Sequence, residues 1–159
     1  MKTSIRTAIV TGGASGIGKA IVARLARDGI AVAVADKDEK QAAEVASNIQ
    51  NGSQIMSVGV DVSDRTSVEN MIELSHKRLG SLDILICNAG IMDRAPFMEM
   101  EENFWDNVLN TNLGGVFRCS QVAARYMIAG SRGGRIVNVA SNSGIFGGRG
   151  RAAYGASKA

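Results

Sequence analysis

The chain has few cysteines, prolines and aromatic residues, and these shortages exclude several classes of protein. Its two cysteines, Cys87 and Cys119, lack the close spacing to other cysteines or histidines that a metal site needs. We therefore expect no metal, and two buried thiols in a reducing compartment. Aromatic residues make up 4% of the chain and the formal net charge is only +3. Nucleic-acid-binding proteins usually combine a dense basic patch with aromatic stacking platforms, so we expect no nucleic-acid partner.

Long hydrophobic runs are also missing. No stretch reaches the roughly 18 apolar residues that a membrane span requires, and the apolar run at residues 7–10 is too short for a signal peptide. We therefore expect a cytoplasmic protein without a membrane partner. The 159 residues, 45% of them hydrophobic, suffice for one domain with a core but not for two. We assign residues 1–159 to a single nucleotide-binding domain.

Short apolar runs alternate along the chain with stretches of helical periodicity. The runs predict strands at residues 8–10, 30–35, 55–60, 82–87 and 135–140. The periodic stretches predict helices at residues 19–28, 39–50, 64–79, about 98–109 and about 113–128, with a further helix beginning near Tyr154 and Ser63 capping the third. Strands that are apolar throughout indicate an α/β fold with a parallel sheet covered on both faces. Right-handed crossovers give a Rossmann-type doubly wound sheet with strand order 3-2-1-4-5.

A glycine-rich loop separates the first predicted strand from the first helix. Gly12 allows a tight turn, Gly16 lets the backbone approach a pyrophosphate, and Gly18 lets the helix pack closely on the strand. The free N–H groups and positive dipole end of the following helix suit phosphate groups. In this strand–loop–helix setting the pattern predicts a dinucleotide-binding loop rather than a plain glycine-rich turn.

Two aspartates follow strands at the same predicted edge of the sheet. Asp36 ends the second strand, where a carboxylate can accept hydrogen bonds from both ribose hydroxyls of an adenosine and would repel a 2′-phosphate. This position predicts NAD rather than NADP, although the adjacent Lys37 would soften the discrimination, so NADP stays possible. Asp61 ends the third strand, where it either meets the adenine edge or serves as an ordinary turn residue.

Tyr154 and Lys158 are four residues apart, so on a helix they share one face. A free phenol is a poor base at neutral pH, and a nearby ammonium stabilises its phenolate form. The pair therefore makes a usable acid–base group if it lies beside a ligand. It follows the fifth strand, and ligands bind beyond the carboxyl ends of such strands.

The glycine loop, the run Asn88-Ala89-Gly90 and the Tyr154-x-x-x-Lys158 pair occur in this order over essentially the whole chain. Together they resemble the short-chain dehydrogenase/reductase family. The resemblance implies that Tyr154 is the catalytic acid/base and that Lys158 binds the nicotinamide ribose and activates the tyrosine. The remaining implied cofactor-binding residues are Gly12, Ser15, Gly16, Ile17, Gly18, Asp36, Asp61, Val62, Asn88, Ala89 and Gly90.

Two further catalytic residues follow from the resemblance. Ser141 would hydrogen-bond the substrate carbonyl or hydroxyl, because Ser143, the competing serine, stands two residues too close to Tyr154. Asn112 would hold a water in a proton relay. The family often has asparagine where this chain has Cys87, a change that would loosen a hydrogen bond in the central strand.

The implied activity is reversible hydride transfer between a secondary alcohol or ketone and NAD or NADP. A small polyol, sugar or hydroxy-ketone is the first expected substrate, and a 3-oxoacyl thioester is the alternative. Family members continue beyond the position of Ala159, so we expect the fold to be C-terminally truncated. An isolated chain of this length would then have an edge strand at residues 135–140 and would be inactive and aggregation-prone, a nucleotide-binding remnant. The full-length protein would form a homodimer or homotetramer.

Overall fold

The computed structural model describes residues 5–49 and 52–159, and its centre is a wholly parallel five-stranded sheet. Numbered along the chain, the strands have the order 3-2-1-4-5 across the sheet, which confirms the predicted arrangement. The strands are β1 (Thr7–Thr11), β2 (Ala31–Asp36), β3 (Ile55–Gly59), β4 (Ile84–Cys87) and β5 (Arg135–Asn138). Since all five run in the same direction, their carboxyl ends lie along one edge of the sheet.

Helices cover both faces of this sheet, as the Rossmann-type prediction requires. They are α1 (Gly16–Arg27), α2 (Glu39–Ser47), α3 (Arg65–Leu79), α4 (Glu102–Leu109), α5 (Gly115–Ala129), α6 (Ser143–Phe146) and α7 (Ala152–Lys158). Alternate residues of a strand point to opposite faces. Val10 accordingly packs in the core cluster of α1 and α2, whereas Ile9 packs in the cluster of α3 and α5.

The central strands carry most of the hydrophobic core. Every residue of β1 is buried, and β2 is buried up to its last residue, Asp36. Each fully buried Val or Ile side chain contributes about 1.5–3 kcal/mol by leaving water. The strands that hold the glycine loop and Asp36 are therefore the most firmly fixed part of the sheet. β5 lies at the opposite extreme, because all four of its residues are exposed at the sheet edge.

The beginning of α3 differs from the prediction. Ser63 does not cap the helix; Asp64 occupies the N-cap and its carboxylate accepts the backbone N–H of Ser67 over 2.7 Å. Ser63 is instead bonded to Asp61, to which its backbone N–H donates over 2.9 Å. A carboxylate is the stronger acceptor near the positive end of a helix, which explains the preference for Asp64.

Other helix limits also differ from those predicted, and α1 begins at Gly16 rather than at residue 19. The second helix ends at Ser47 and not near Gln50, which lies outside the described residues. The predicted helix at residues 98–109 divides into a short 3-10 turn (Phe97–Glu99) and α4. Single-residue propensities do not determine such breaks, because tertiary packing sets where the backbone bonds stop.

A wide π-helical turn, Asn110–Gly114, joins α4 to α5. The sequence predicted two separate helices here, and the structure shows one helical run with a bulge in its middle. Such bulges often lie at functional sites. In this one Asn112 is buried to 1% exposure, a depth at which a polar side chain needs hydrogen-bond partners.

Within the residues that the structure describes, no helix has both the length and the apolar character to cross a membrane.

Candidate active site

A cavity of about 470 Å³ opens at the carboxyl ends of the central strands. Its walls come from the glycine loop, the ends of β2 and β3, the segment after β4 and the end of α4. The lining residues are Gly12, Ser15, Gly16, Ile17, Asp36, Lys37, Val60, Asp61, Val62, Ser63, Asn88, Ala89, Gly90, Ile91, Asn107 and Thr111. The sequence-based cofactor prediction included ten of these sixteen residues. Of the other residues in that prediction, Gly18, Tyr154 and Lys158 do not line the cavity.

The glycine loop is shaped by close backbone contacts. Gly12 has φ +63°, and a Cβ atom there would lie 2.9 Å from Cα of Ala89. A Cβ atom on Gly18 would lie 1.9 Å from the carbonyl oxygen of Gly12, so any side chain is excluded. Gly18 therefore supports the loop from beneath rather than lining the cavity. Gly16, with φ +49°, faces open space on the cavity side, where its lack of a side chain leaves room for a ligand.

Hydrogen bonds from Asn88 fix this loop to the end of β4. Its side-chain Nδ2 donates to the carbonyl oxygens of Thr11 and Gly12 over 3.1 and 3.0 Å. The backbone N–H groups of Asn88 and Ala89 donate in turn to Oγ1 of Thr11 over 3.1 and 3.2 Å. The side-chain donors of Asn88 thus face the loop backbone, and its part in the cavity is to fix the wall.

Asp36 is oriented by backbone donors on both of its carboxylate oxygens. Its Oδ2 accepts the N–H of Ala14 over 3.0 Å, and its Oδ1 accepts the N–H of Asp38 over 3.1 Å. Each carboxylate oxygen can accept more than one hydrogen bond, so both keep capacity for a ligand. The carboxylate is consequently held in one orientation at the rim of the cavity before any ligand binds.

Asp61 forms an ion pair across the mouth of the cavity. Nζ of Lys37 lies 2.8 Å from its Oδ2, while Oδ1 accepts the backbone N–H and the hydroxyl of Ser63. The Lys37 ammonium and the Ser63 donors lower the pKa of Asp61 to about 2, and the bond to Asp61 raises the pKa of Lys37. From the sequence, Lys37 is expected only as a neighbour of Asp36. In the structure its ammonium pairs instead with Asp61, beyond the end of β3.

Tyr154 and Lys158 lie on α7, beyond the end of β5. Nζ of Lys158 donates to the backbone carbonyl oxygen of Val139 over 2.8 Å. Lys158 is half-buried, and this burial lowers its pKa. Ser141 lies on the connection from β5, where its Oγ accepts the N–H of Ser143 over 3.2 Å. Ser143 is buried to 3% exposure, which also favours Ser141 as the accessible serine of the two.

Gly90 joins this second group of residues to the cavity. It lines the cavity, and a Cβ atom on it would lie 3.0 Å from Oδ1 of Asn112 and 3.6 Å from Nζ of Lys158. Asn112 and Lys158 therefore lie next to the wall of the cavity at Gly90. The structure brings Asp36, Asp61 and the glycine loop to one cavity, and it places Lys158 of the predicted Tyr–Lys helix next to the wall of that cavity at Gly90.

The sequence-based prediction missed Lys37 as a wall residue and did not include Val60, Ser63, Ile91, Asn107 or Thr111. Val60 and Ile91 are neighbours of predicted residues, so strand-end position was an available signal. Asn107 and Thr111 lie four residues apart on one helical face before Asn112. Their place in the cavity depends on how α4 docks, which no local pattern in the sequence encodes.

Comparisons with a family model, with known sequences and with solved structures all point to one family. A family model described as short chain dehydrogenase matches residues 6–159. The chain is 41% identical to 3beta-hydroxysteroid dehydrogenase 2 of Eggerthella lenta, covering 96% of this chain and 60% of that protein. It is 38% identical to sorbitol dehydrogenase of Cereibacter sphaeroides, covering 91% of this chain and 56% of that protein.

Two further similarities cover nearly all of the chain. It is 40% identical to a 3-oxoacyl-(acyl-carrier-protein) reductase of Staphylococcus aureus, covering 97% of this chain and 63% of that protein. A solved structure described as a short-chain alcohol dehydrogenase from Sinorhizobium meliloti 1021 superposes with a TM-score of 0.92 at 38% identity, covering 96% of this chain and 61% of that one. The chain thus spans between 56% and 63% of the length of the curated relatives it matches.

Proposed function

The chain belongs to the short-chain dehydrogenase family, and from this premise we propose that it serves an oxidoreductase that interconverts a secondary alcohol and a ketone with a nicotinamide dinucleotide. The observation that supports this most is the position of Gly90. This residue lines the cavity and at the same time approaches Nζ of Lys158 and Oδ1 of Asn112. A ligand that fills the cavity would extend directly to the residues proposed for acid–base chemistry.

The cavity fits a dinucleotide on physical grounds. The glycine loop offers backbone N–H groups and the N-terminus of the twelve-residue helix α1 to a pyrophosphate, and a side chain at Gly16 would project into that space. Asp36 lies at the rim, with its carboxylate fixed by Ala14 and Asp38. We propose that this carboxylate binds the adenosine ribose hydroxyls and that NAD is preferred over NADP.

In the proposed mechanism, different groups transfer the hydride and the proton. A bound nicotinamide dinucleotide would supply the hydride acceptor or donor. Tyr154 would take or return the proton of the substrate hydroxyl, and the Lys158 ammonium would stabilise the phenolate form of Tyr154. Ser141 would donate a hydrogen bond to the substrate oxygen. Tyr154 and Lys158 lie four residues apart on α7, and the charge of a half-buried ammonium is less screened by water than that of an exposed one.

For the substrate we propose first a small polyol, sugar or hydroxy-ketone, in keeping with the NAD preference argued from Asp36. A sorbitol dehydrogenase is among the proteins that this chain resembles.

A 3-oxoacyl thioester is the second candidate, and a specific observation favours it. Ile145 and Phe146 lie on α6, shortly after Ser141, and are 80% and 84% exposed. Met92, two residues after Gly90, is 55% exposed. Apolar side chains on segments next to the proposed catalytic residues suit an acyl chain better than a polyol. The similarity to a 3-oxoacyl-(acyl-carrier-protein) reductase agrees with this alternative, which would more typically use NADPH.

The test combines binding with turnover. Fluorescence titration with NADH and NADPH, for the wild-type chain and a D36A variant, should show tighter binding of NADH by the wild type and loss of that preference in D36A. Turnover of NAD and NADP over a panel of polyols, hydroxy-ketones and 3-oxoacyl thioesters then separates the two substrate candidates. Binding without turnover would identify a nucleotide-binding remnant, and absence of binding by either dinucleotide would contradict the proposal.

A further inference from the structure

Ser157 is a buried serine between Tyr154, which is proposed to transfer the proton, and Lys158, which is proposed to stabilise the phenolate of Tyr154. It is 5% exposed and lies on α7, three residues after Tyr154 and one before Lys158. Its Oγ donates to the backbone carbonyl oxygen of Tyr154 over 2.8 Å and accepts a hydrogen bond from Nδ2 of Asn112 over 2.9 Å. The hydroxyl therefore links the backbone at Tyr154 to the π-helical turn that carries Asn112.

Asn112 continues this link to the wall of the cavity. Its Oδ1 accepts the backbone N–H of Ile91 over 2.8 Å, and its Nδ2 donates to the carbonyl oxygen of the same residue over 2.9 Å. A side-chain amide has two N–H donors, and those of Asn112 are taken by Ile91 and Ser157. The side chain thus has no N–H left to donate to a relay water, and its amide acts as a fixed connection between the segment after Gly90 and α7.

The helix α7 needs such a connection because it is short. It has seven residues, and a helix of this length is not stable in isolation. On another side it packs closely on α6, since a Cβ atom on Gly155 would lie 3.0 Å from the carbonyl oxygen of Ser143. That contact limits how closely the helix approaches α6, whereas the Ser157 hydroxyl ties it to Asn112.

We propose that Ser157 is a positioning residue for Tyr154, an inference that rests on the proposed function. The chain of hydrogen bonds from Ile91 through Asn112 and Ser157 sets the position of the Tyr154 backbone relative to the end of the cavity. Loss of the hydroxyl leaves a buried Asn112 N–H without an acceptor and releases α7 to shift. A small displacement of an acid–base group is enough to lower the rate of proton transfer strongly.

The first test measures position without requiring turnover. The chain has two tyrosines, Tyr126 and Tyr154, so ring-labelled tyrosine gives two NMR signals, which a Y126F variant assigns. The matched control is Ser75 on α3, whose Oγ also donates within its own helix, to Met71 O over 2.7 Å, at 1% exposure. S157A should move the Tyr154 signal by more than its linewidth, while S75A leaves it in place. An unmoved Tyr154 signal in a folded S157A chain overturns the proposal.

The second test measures catalysis in the same variants. S157A should lower kcat by at least about tenfold, whereas its Kd for NADH should rise by a smaller factor, because Ser157 itself does not line the cavity and only Lys158, on the same helix, is proposed to bind the nicotinamide ribose. S75A should change neither value. Turnover by S157A at the wild-type kcat would overturn the proposal while leaving the proposed function intact. A Tyr154 signal that moves in S157A, together with a wild-type chain that turns over no substrate, would support the positioning role and count against the proposed function. Should S157A not fold, S157C, which fills the site with a somewhat larger and weaker hydrogen-bonding group, replaces it in both tests with the same expected direction.

Discussion

The ammonium of Lys158 donates a hydrogen bond to the backbone carbonyl oxygen of Val139 over 2.8 Å. Val139 directly follows β5, and its N–H donates to the carbonyl oxygen of Cys87 at the end of β4. The lysine is therefore held against the carboxyl edge of the sheet, next to Gly90 and the cavity. This contact joins a short helix to the part of the fold where the ligand is proposed to bind.

Burial of Lys158 predicts a characteristic pH dependence of stability. Its pKa is lowered from the ordinary 10.5, so the folded state disfavours the charged form. The destabilising contribution is fully present below the folded pKa and disappears as the pH rises from that value to 10.5. The thermal midpoint of the wild type should therefore rise relative to that of K158M across this alkaline window. A constant difference between the two midpoints would show that Lys158 is not desolvated as described.

Asp61 predicts the opposite behaviour at acid pH. Its pKa is lowered from 3.8 to about 2, so the ion pair with Lys37 stabilises the fold above 3.8 and the contribution is lost as the pH falls through about 2. Urea unfolding of wild type and D61N should show a stability difference that is small, because the pair is partly exposed, and that vanishes at the lowest pH. E44Q, at an exposed glutamate on α2, serves as the control for loss of a negative charge.

Gly18 should be the most sensitive glycine in the loop. The Cβ atom of G18A would lie 1.9 Å from the carbonyl oxygen of Gly12, which forces the backbone to move and should cost about 2 kcal/mol or more. G29A is the control, since Gly29 has φ +76° but faces open space, so only its backbone strain, about 1 kcal/mol, is expected. Urea unfolding and NADH titration should show that G18A loses both stability and binding. Equal losses in the two variants would contradict the close packing of Gly18.

Both cysteines should be unreactive in the folded chain. Cys87 and Cys119 are free and buried, and burial raises the pKa of Cys119 to about 12 and also raises that of Cys87. Because the thiolate is the reactive form, a thiol-specific reagent near neutral pH should modify neither residue until denaturant is added. Rapid modification of a thiol in the native chain would show that one of these residues is more accessible than the structure indicates.

Much of the fold could be predicted because its signals are local. The apolar strands, the glycine loop and the turn residues specify a parallel sheet whose order follows from right-handed crossovers. Element ends were harder to predict, as at Ser63, where Asp64 became the cap through competition between neighbouring acceptors. The bulge around Asn112 was also missed, because nothing in residues 110–114 alone distinguishes it from a regular helix.

The proposed site divides in the same way. Asp36, Asp61, Gly12 and Gly16 could be placed from strand-end positions, and the structure brings them to one cavity. Lys37 turning to Asp61, and Ser157 bonding to Asn112, depend on side-chain positions that arise only when separate elements meet. A sequence motif identifies residues that can do chemistry, whereas the hydrogen bonds that hold those residues in place come from the packed structure.

The most direct test of the central claim, that Tyr154 borders the end of a dinucleotide site, is an intermolecular NOE measurement in a Y126F chain, where Tyr154 is the remaining tyrosine. With NAD bound, we predict cross-peaks between the Tyr154 ring protons and the nicotinamide ring protons. Bound NAD whose nicotinamide protons show no contact with Tyr154, or whose adenine protons show it instead, would contradict the account.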